Sequence, residues 1–172
     1  MTTISVTPAN RVRSLIIFFM TALIISGLTA IPLPQELLIL NHLFGEQSFT
    51  ASLWPSLADW LGRVQAGIQN GYGQYPFLAY GTDWLAFAHV AIAILFVGPL
   101  RDPVKNLWVI EFGIIACILI IPWTLIFAPL RGIPLFWMLI DMSFGVFGFI
   151  PLWFARRDIK SIERFVNRIE TR

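Results

Sequence analysis

The hydrophobic positions of this chain fall into four long runs that are separated by more polar stretches. Each run approaches or reaches the about 20 apolar residues that an α-helix needs to cross a hydrocarbon layer about 30 Å thick. The runs do not alternate apolar with polar residues, which excludes the strands of a transmembrane barrel. The pattern therefore predicts four membrane-spanning helices, at about residues 14–31, 82–100, 103–128 and 134–154.

Residues 32–81, between the first two spans, predict a cap of two short helices. Pro34 is typical of a helix start, and the helix that follows it is expected over Gln35 to Phe44. A second, amphipathic helix is expected to lie on the outer membrane surface or to cover the bundle, and to end where Asn70, Gly71, Gly73 and Pro76 break the pattern. Its apolar positions recur every three or four residues, at Trp54, Leu57, Leu61, Val64 and Ile68.

Residues 155–172 predict a basic amphipathic helix beyond the fourth span. Its basic residues favour a position on the anionic inner leaflet, and the alternative is a partner's helix that docks on the apolar face. That face consists of Ile159, Ile162, Phe165, Val166 and Ile169.

Most charged residues lie at the ends of the predicted spans and do not form one patch. Charged residues make up 13% of the chain, against about 25% in soluble proteins, and hydrophobic residues make up 57%. A net charge of +2 could suggest a nucleic acid partner. The basic residues are scattered along the chain, so no nucleic acid partner is predicted. Of the 12 Lys and Arg residues, only Arg63 and Arg131 fall on the side of the cap. This bias assigns both termini and the loop at 101–106 to the cytoplasm, and residues 32–81 to the outside.

These observations predict a single all-α domain over residues 1–172. The fold class is a polytopic integral membrane protein, a four-transmembrane-helix bundle with a short helical extracytoplasmic cap, located in a bacterial inner membrane. The first span is longer than the about 7 to 15 apolar residues of a cleaved signal, so we expect it to be retained. The partner of such a small bundle is the lipid bilayer, and a homo-oligomer or a larger membrane complex is a further expectation.

Four ionisable residues fall within or next to the predicted spans. They are candidates for function because a charge at the bilayer centre costs about 2.5 to 3.5 kcal/mol on insertion scales. His89 and Asp141 lie at similar depths, about 10 Å below the outer ends of their helices by helical rise. Small neighbours, Ala86 and Ala93 on one helix and Gly145 and Gly148 on the other, allow these helices to approach closely. The set is Asp83, His89, Glu111 and Asp141.

Two readings of these residues stay open at this point. A hydrogen bond between His89 and Asp141 fixes the register of two helices, or it shares a proton near neutral pH. Glu111 enters from the opposite side and is expected to form a structural ion pair with Arg101, Lys105 or Arg156. Asp83 is expected in the first turn of its helix, where the helix dipole favours a carboxylate.

No cofactor and no metal is predicted. His42 and Glu46 are four residues apart, but Gly45 is expected to end the helix between them, and no further ligand completes a zinc motif. No CxxCH motif for haem attachment is present, and the lone Cys117 excludes an internal disulfide.

Three functions remain, in this order. The first is a non-enzymatic membrane subunit or accessory protein that binds partners through the cap and the basic tail. The alternative is a proton-coupled carrier that uses His89, Asp141 and Glu111. The third is a membrane enzyme or redox protein that acts on a lipid or quinone, and the absence of nucleotide-binding, hydrolase and protease motifs argues against it.

Overall fold

A computed structural model describes residues 7–170, and within them the chain forms only helices. Four of these are long and apolar enough to cross a membrane, over Ala9–Leu28, Pro76–Arg101, Leu107–Leu130 and Leu135–Ile169. The elements are α1 (Thr7–Leu28), α2 (Leu33–Phe44), α3 (Phe49–Leu53), α4 (Pro55–Gln74), a 3₁₀ helix (Pro76–Leu78), α5 (Ala79–Leu95), α6 (Val97–Arg101), α7 (Leu107–Leu130) and α8 (Leu135–Glu170).

The chain divides into two compact units. The terminal unit consists of Met1–Ala22 together with Ile92–Arg172, and the central unit is Leu23–Ala91. Each unit contains parts of the predicted spans, since α1 and α5 contribute residues to both.

Apolar side chains from four helical segments form the core of the terminal unit. Phe96 is fully buried there, and its ring centroid lies 4.8 Å from that of Phe19. The buried members of this core are Val12, Ile16, Phe96, Val109, Ile110, Ile114, Cys117, Leu152 and Ile159. The N-terminal parts of α1 and α7 therefore pack with Phe96, near the end of the second span, and with the C-terminal half of α8.

Glycines bring α7 and α8 into close contact. A Cβ atom on Gly145 would lie 2.6 Å from the carbonyl oxygen of Cys117, and one on Gly148 would lie 2.8 Å from the Cys117 Sγ. Both distances are shorter than a carbon atom tolerates. The small residues beside Asp141 thus make room for α7, whereas the sequence suggested that they make room for the helix of His89.

The turn between α7 and α8 lies where the sequence predicted it. Gly132 has a φ of 70°, which glycine adopts without strain. Its N–H donates to the Pro129 carbonyl, and the Ile133 N–H donates to the Ala128 carbonyl at 3.0 Å. These two bonds form a Schellman motif, which satisfies carbonyls that the end of α7 leaves free.

The turn before α7 is longer than predicted, because α7 begins at Leu107 and not at 103. Side chains add hydrogen bonds to the backbone ones that close this turn, among them the bond from the Asn106 N–H to the Asp102 carbonyl at 3.2 Å. The Asn106 Nδ2 donates to the carbonyls of Gly98 and Asp102, at 3.2 and 2.9 Å. The Lys105 backbone N–H donates to the Asp102 Oδ1 at 3.1 Å, and this bond lowers the pKa of the Asp102 carboxyl.

In the central unit, α2 packs on α4 through a small apolar contact. Leu37, Ala58 and Leu61 are almost fully buried, and the Asn41 Nδ2 donates to the Leu61 carbonyl at 3.1 Å. Part of the apolar stripe that was expected to face the membrane or the bundle is therefore covered by α2. Of the residues predicted to end this helix, Asn70, Gly71 and Gly73 lie within α4, which continues to Gln74 and ends just before Pro76.

The basic tail is not a separate helix. From Leu135 to Glu170, α8 is continuous over 36 residues. Leu152, Ala155 and Ile159 are fully buried on one face across the expected junction, so packing supports the helix through it. The prediction that the whole apolar stripe lies on the inner leaflet is wrong for Ile159, which is part of the protein core.

Other helix boundaries also differ from the prediction. Helix α1 begins at Thr7, well before residue 14, where the first span was predicted to start. Val12, in this earlier part, packs with Ile16 in the core of the terminal unit. The second span is interrupted at Phe96, where α5 ends and α6 begins.

We predict that Gly145→Ala destabilises the protein, because the new methyl group meets a backbone carbonyl that cannot rotate away. Overpacking of this kind costs about 1 to 3 kcal/mol. At about 2 to 4 °C for each kcal/mol, the loss is measurable as a lower Tm in detergent.

The matched control is Gly67→Ala in α4, where an added Cβ has no heavy atom within 4 Å. Alanine favours a helix over glycine, so the control should keep or raise the Tm. An unchanged Tm for Gly145→Ala would contradict the close packing of α7 on α8.

Candidate functional site

The best-defined polar contact of the terminal unit is an ion pair between Arg11 and Asp158. The Arg11 Nε donates to the Asp158 Oδ2 at 2.6 Å, and the Arg11 Nη2 donates to Oδ1 at 2.5 Å. This is the two-bond geometry in which guanidinium and carboxylate fit best. Asp158 is only 7% exposed, so the pair connects the start of α1 to the buried face of α8.

Asp158 was missed as a site residue in the sequence, although a signal was present. It stands among basic residues of the tail and therefore resembles part of a solvated charged face. However, it precedes Ile162 by four residues and Phe165 by seven, which places it on the apolar face of the helix. A carboxylate on an apolar face requires a partner, and Arg11 provides it.

Glu111 forms the second set of ion pairs, between α7 and α8. The Arg156 Nε donates to the Glu111 Oε1 at 2.8 Å, and the Lys160 Nζ lies 3.7 Å from the same oxygen. Arg156 is one of the three partners considered from the sequence, and Lys160 was not considered. All three groups are partly exposed, so the contact is a helix-to-helix ion pair at the edge of the core.

His89 lies in the central unit and contacts α1. Its Nδ1 is 2.8 Å from the Leu85 carbonyl oxygen, which only accepts hydrogen bonds, so Nδ1 carries a proton. A Cβ on Gly27 would lie 2.4 Å from the His89 Cβ. Within this unit, the space beside His89 and Ala86 is therefore used by the backbone of α1.

Asp141 is half-buried and belongs to the terminal unit. Within the described part of that unit, no hydrogen bond or ion pair joins its carboxylate to another side chain. Because His89 belongs to the other unit, the hydrogen bond expected between His89 and Asp141 stays a prediction.

Asp83 is exposed and does not occupy the first turn of its helix. Helix α5 begins at Ala79, and Asp83 is its fifth residue. The helix dipole that was expected to favour its carboxylate therefore acts on it less strongly than predicted.

A polar groove of about 720 Å³ lies between α2 and α4 in the central unit. The Arg63 Nε is 3.3 Å from the Asp59 Oδ2, which pairs two of the charges in it. Among residues 7–170, no group of three or more His, Cys, Asp or Glu side chains is placed to hold a metal ion. The groove is lined by Leu38, Asn41, His42, Glu46, Gln47, Asp59, Gly62, Arg63, Gln65 and Ala66.

No protein-family model, curated protein or solved structure matches the chain. The chemistry of the site therefore follows from its geometry alone. Asp158 and Glu111 each bind cations of another helix, and such pairs fix how helices pack. Among residues 7–170, neither carboxylate is positioned together with a set of metal ligands.

We predict that Arg11→Asp and Asp158→Arg each lower the Tm and the abundance of the protein in membranes. Each change places two like charges together, one of them on the buried face of α8. The double variant, Arg11→Asp with Asp158→Arg, should recover most of the loss because it restores an opposite pair.

Arg13→Asp is the matched control, since Arg13 is exposed two residues away on the same helix. It should have little effect on the Tm. If the double variant is no more stable than the worse single variant, the two side chains do not interact as described.

Proposed function

We propose that the chain is a four-span protein of a bacterial inner membrane and serves as a non-enzymatic accessory subunit. Its four long helices bury only between 17% and 33% of their most apolar stretches within the protein. The remaining apolar surface requires an apolar solvent, and helices satisfy their own backbone hydrogen bonds in lipid. This supports insertion of all four helices.

Charge and packing support an orientation with both termini in the cytoplasm. The ion pair of Arg11 with Asp158 brings the start of α1 level with the part of α8 beyond its span. Both ends of the chain then belong to one membrane face. The excess of Lys and Arg at these ends and in the loop at 101–106 assigns that face to the cytoplasm.

The length of α8 is the observation that supports a role as a subunit. At 1.5 Å per residue its 36 residues extend about 54 Å, about 24 Å more than the hydrocarbon core requires. Phe165, Val166 and Ile169 are exposed near its end and continue the face on which Ile159 is buried. A rigid helix that presents an apolar face between basic residues suits a groove on a partner protein.

We expect the solubilised protein to have a native mass well above its own 19.5 kDa, because a partner remains bound. Val166→Lys should release the partner, since a charge replaces the centre of the exposed apolar face. Native mass spectrometry from mild detergent measures both states.

Arg164→Lys serves as the control, because Arg164 lies on the opposite face of the same turn, where its Nε donates to the Lys160 carbonyl. It should leave the assembly intact. A wild-type mass of one chain would contradict the proposal, and a whole multiple of that mass would replace the partner with further copies of this chain.

A proton-coupled carrier is the second candidate, and Asp141 is the observation that favours it. A half-buried carboxylate in a membrane helix, without an ion pair in the described part of its unit, is suited to binding and releasing a proton. The ion pairs of Glu111 argue against a shared path, because they occupy that carboxylate.

If the protein is a carrier, proteoliposomes should show a flux that depends on pH and is lost in Asp141→Asn. The variant should fold normally, since asparagine has nearly the same shape. Glu111→Gln is the comparison, and it should lower stability rather than flux. A flux that survives Asp141→Asn would remove this candidate.

A further inference from the structure

Helix α2 is apolar on two opposite sides, and only one side is covered within the central unit. Leu37 is 4% exposed where α2 packs against α4. Ile39 and Leu43 point away from that contact and are 61% and 51% exposed. No Asp, Glu, Lys or Arg occurs between residues 37 and 45, so this outer side has no charge on the last two turns.

Helix α3 extends the uncovered apolar surface. Phe49 is 83% exposed and Leu53 is 73% exposed, the two highest values among the large apolar residues of the cap. Helix α3 contacts both α2 and α4, so its position relative to them is fixed. Five residues long and free of charge, it adds a second apolar protrusion beside α2.

The other layer of the cap has the opposite character. The polar side of α4 exposes Asp59, Arg63 and Asn70, and the Asp59 and Arg63 side chains pair with each other at the edge of the groove that α4 forms with α2. The cap therefore has one polar layer and one apolar layer. A structure with water on one side and lipid on the other requires this asymmetry.

Chain connectivity places the apolar layer near the end of the first span. Only four residues separate Leu28, the end of α1, from Leu33, the start of α2. Leu28 and Ile31 are 46% and 52% exposed, so the apolar surface continues along the chain from one helix to the next. After the cap, the chain returns to a span-forming helix at Ala79, so both ends of the cap face the same membrane surface.

We infer that α2 lies along the outer surface of the lipid bilayer, with Ile39 and Leu43 at the boundary between headgroups and acyl chains. Helix α4 covers α2 on its water-facing side, and Phe49 and Leu53 of α3 form a second anchor in the lipid. Glu36, the one charged residue of α2, lies in the first turn, where the helix dipole stabilises a carboxylate. This inference rests on the membrane insertion proposed above.

Spin labels in phospholipid vesicles test this arrangement. Cys117→Ser removes the native thiol, and single cysteines are then introduced by Ile39→Cys, Leu43→Cys or Asn70→Cys for a nitroxide label. Collision rates are measured with oxygen, which concentrates in lipid, and with a nickel chelate, which stays in water. Leu125→Cys on α7, 52% exposed, reports on the span itself.

Labels at 39, 43 and 125 should favour oxygen several-fold more than the label at 70, which should favour the nickel chelate. Because Ile39 and Leu43 make few internal contacts, either variant serves if the other folds poorly. Nickel access at 39 and 43 equal to that at 70 would overturn the inference. Immobile labels that neither reagent reaches would also overturn it, since a protein then covers α2. If the label at 125 also favours nickel, the membrane insertion itself is wrong.

Discussion

The structure depends on one constraint, which is that four apolar helices are too few to cover one another. Even α7, the most deeply packed, buries only 33% of its most apolar stretch. In water this exposed surface would cost far more than a chain of 172 residues gains by folding. In lipid the same surface is solvated, and the backbone groups of each helix are already paired. The positions of the charged residues, of the turns and of the end of α8 are consistent with this requirement.

Charged side chains then have a limited role within the folded protein. The pairs of Arg11 and of Glu111 lie in the N-terminal parts of α1 and α7 and on the part of α8 beyond residue 154. Arg11 with Asp158 and Glu111 with Arg156 both join α8 to another helix, so the longest helix is also the most strongly attached. Close packing at Gly145 and Gly148 adds contacts between α7 and α8 in the apolar region, where ion pairs are absent among the described residues.

The sequence predicted the features that depend on local chemistry. Runs of apolar residues indicated four long helices, and Pro129, Gly132 and Pro134 indicated the turn between α7 and α8. These predictions hold because length, periodicity and backbone freedom are properties of short segments. The late start of α7 was missed because the side chains of Asp102 and Asn106, rather than the proline at 103, decide where the turn closes.

What the sequence could not predict is which surface covers a given apolar face. The stripe of α4 was assigned to the membrane or the bundle, but Leu61 is buried where α2 packs on α4. The stripe of the tail was assigned to lipid or to a partner, but the core covers Ile159 and leaves Phe165 exposed. Periodicity identifies an apolar face, and only the three-dimensional path of the chain identifies its neighbour. The same limit applies to His89 and Asp141, whose pairing depends on contacts between distant segments.

Extraction of cell membranes at high pH tests the central claim most directly, because alkaline carbonate removes proteins bound by charge and leaves those solvated by lipid. We expect the whole chain to stay in the membrane pellet after the wash and to enter solution only with detergent. Release of a stable monomer by carbonate alone would contradict the account, because a protein with this exposed apolar surface cannot remain monomeric in water.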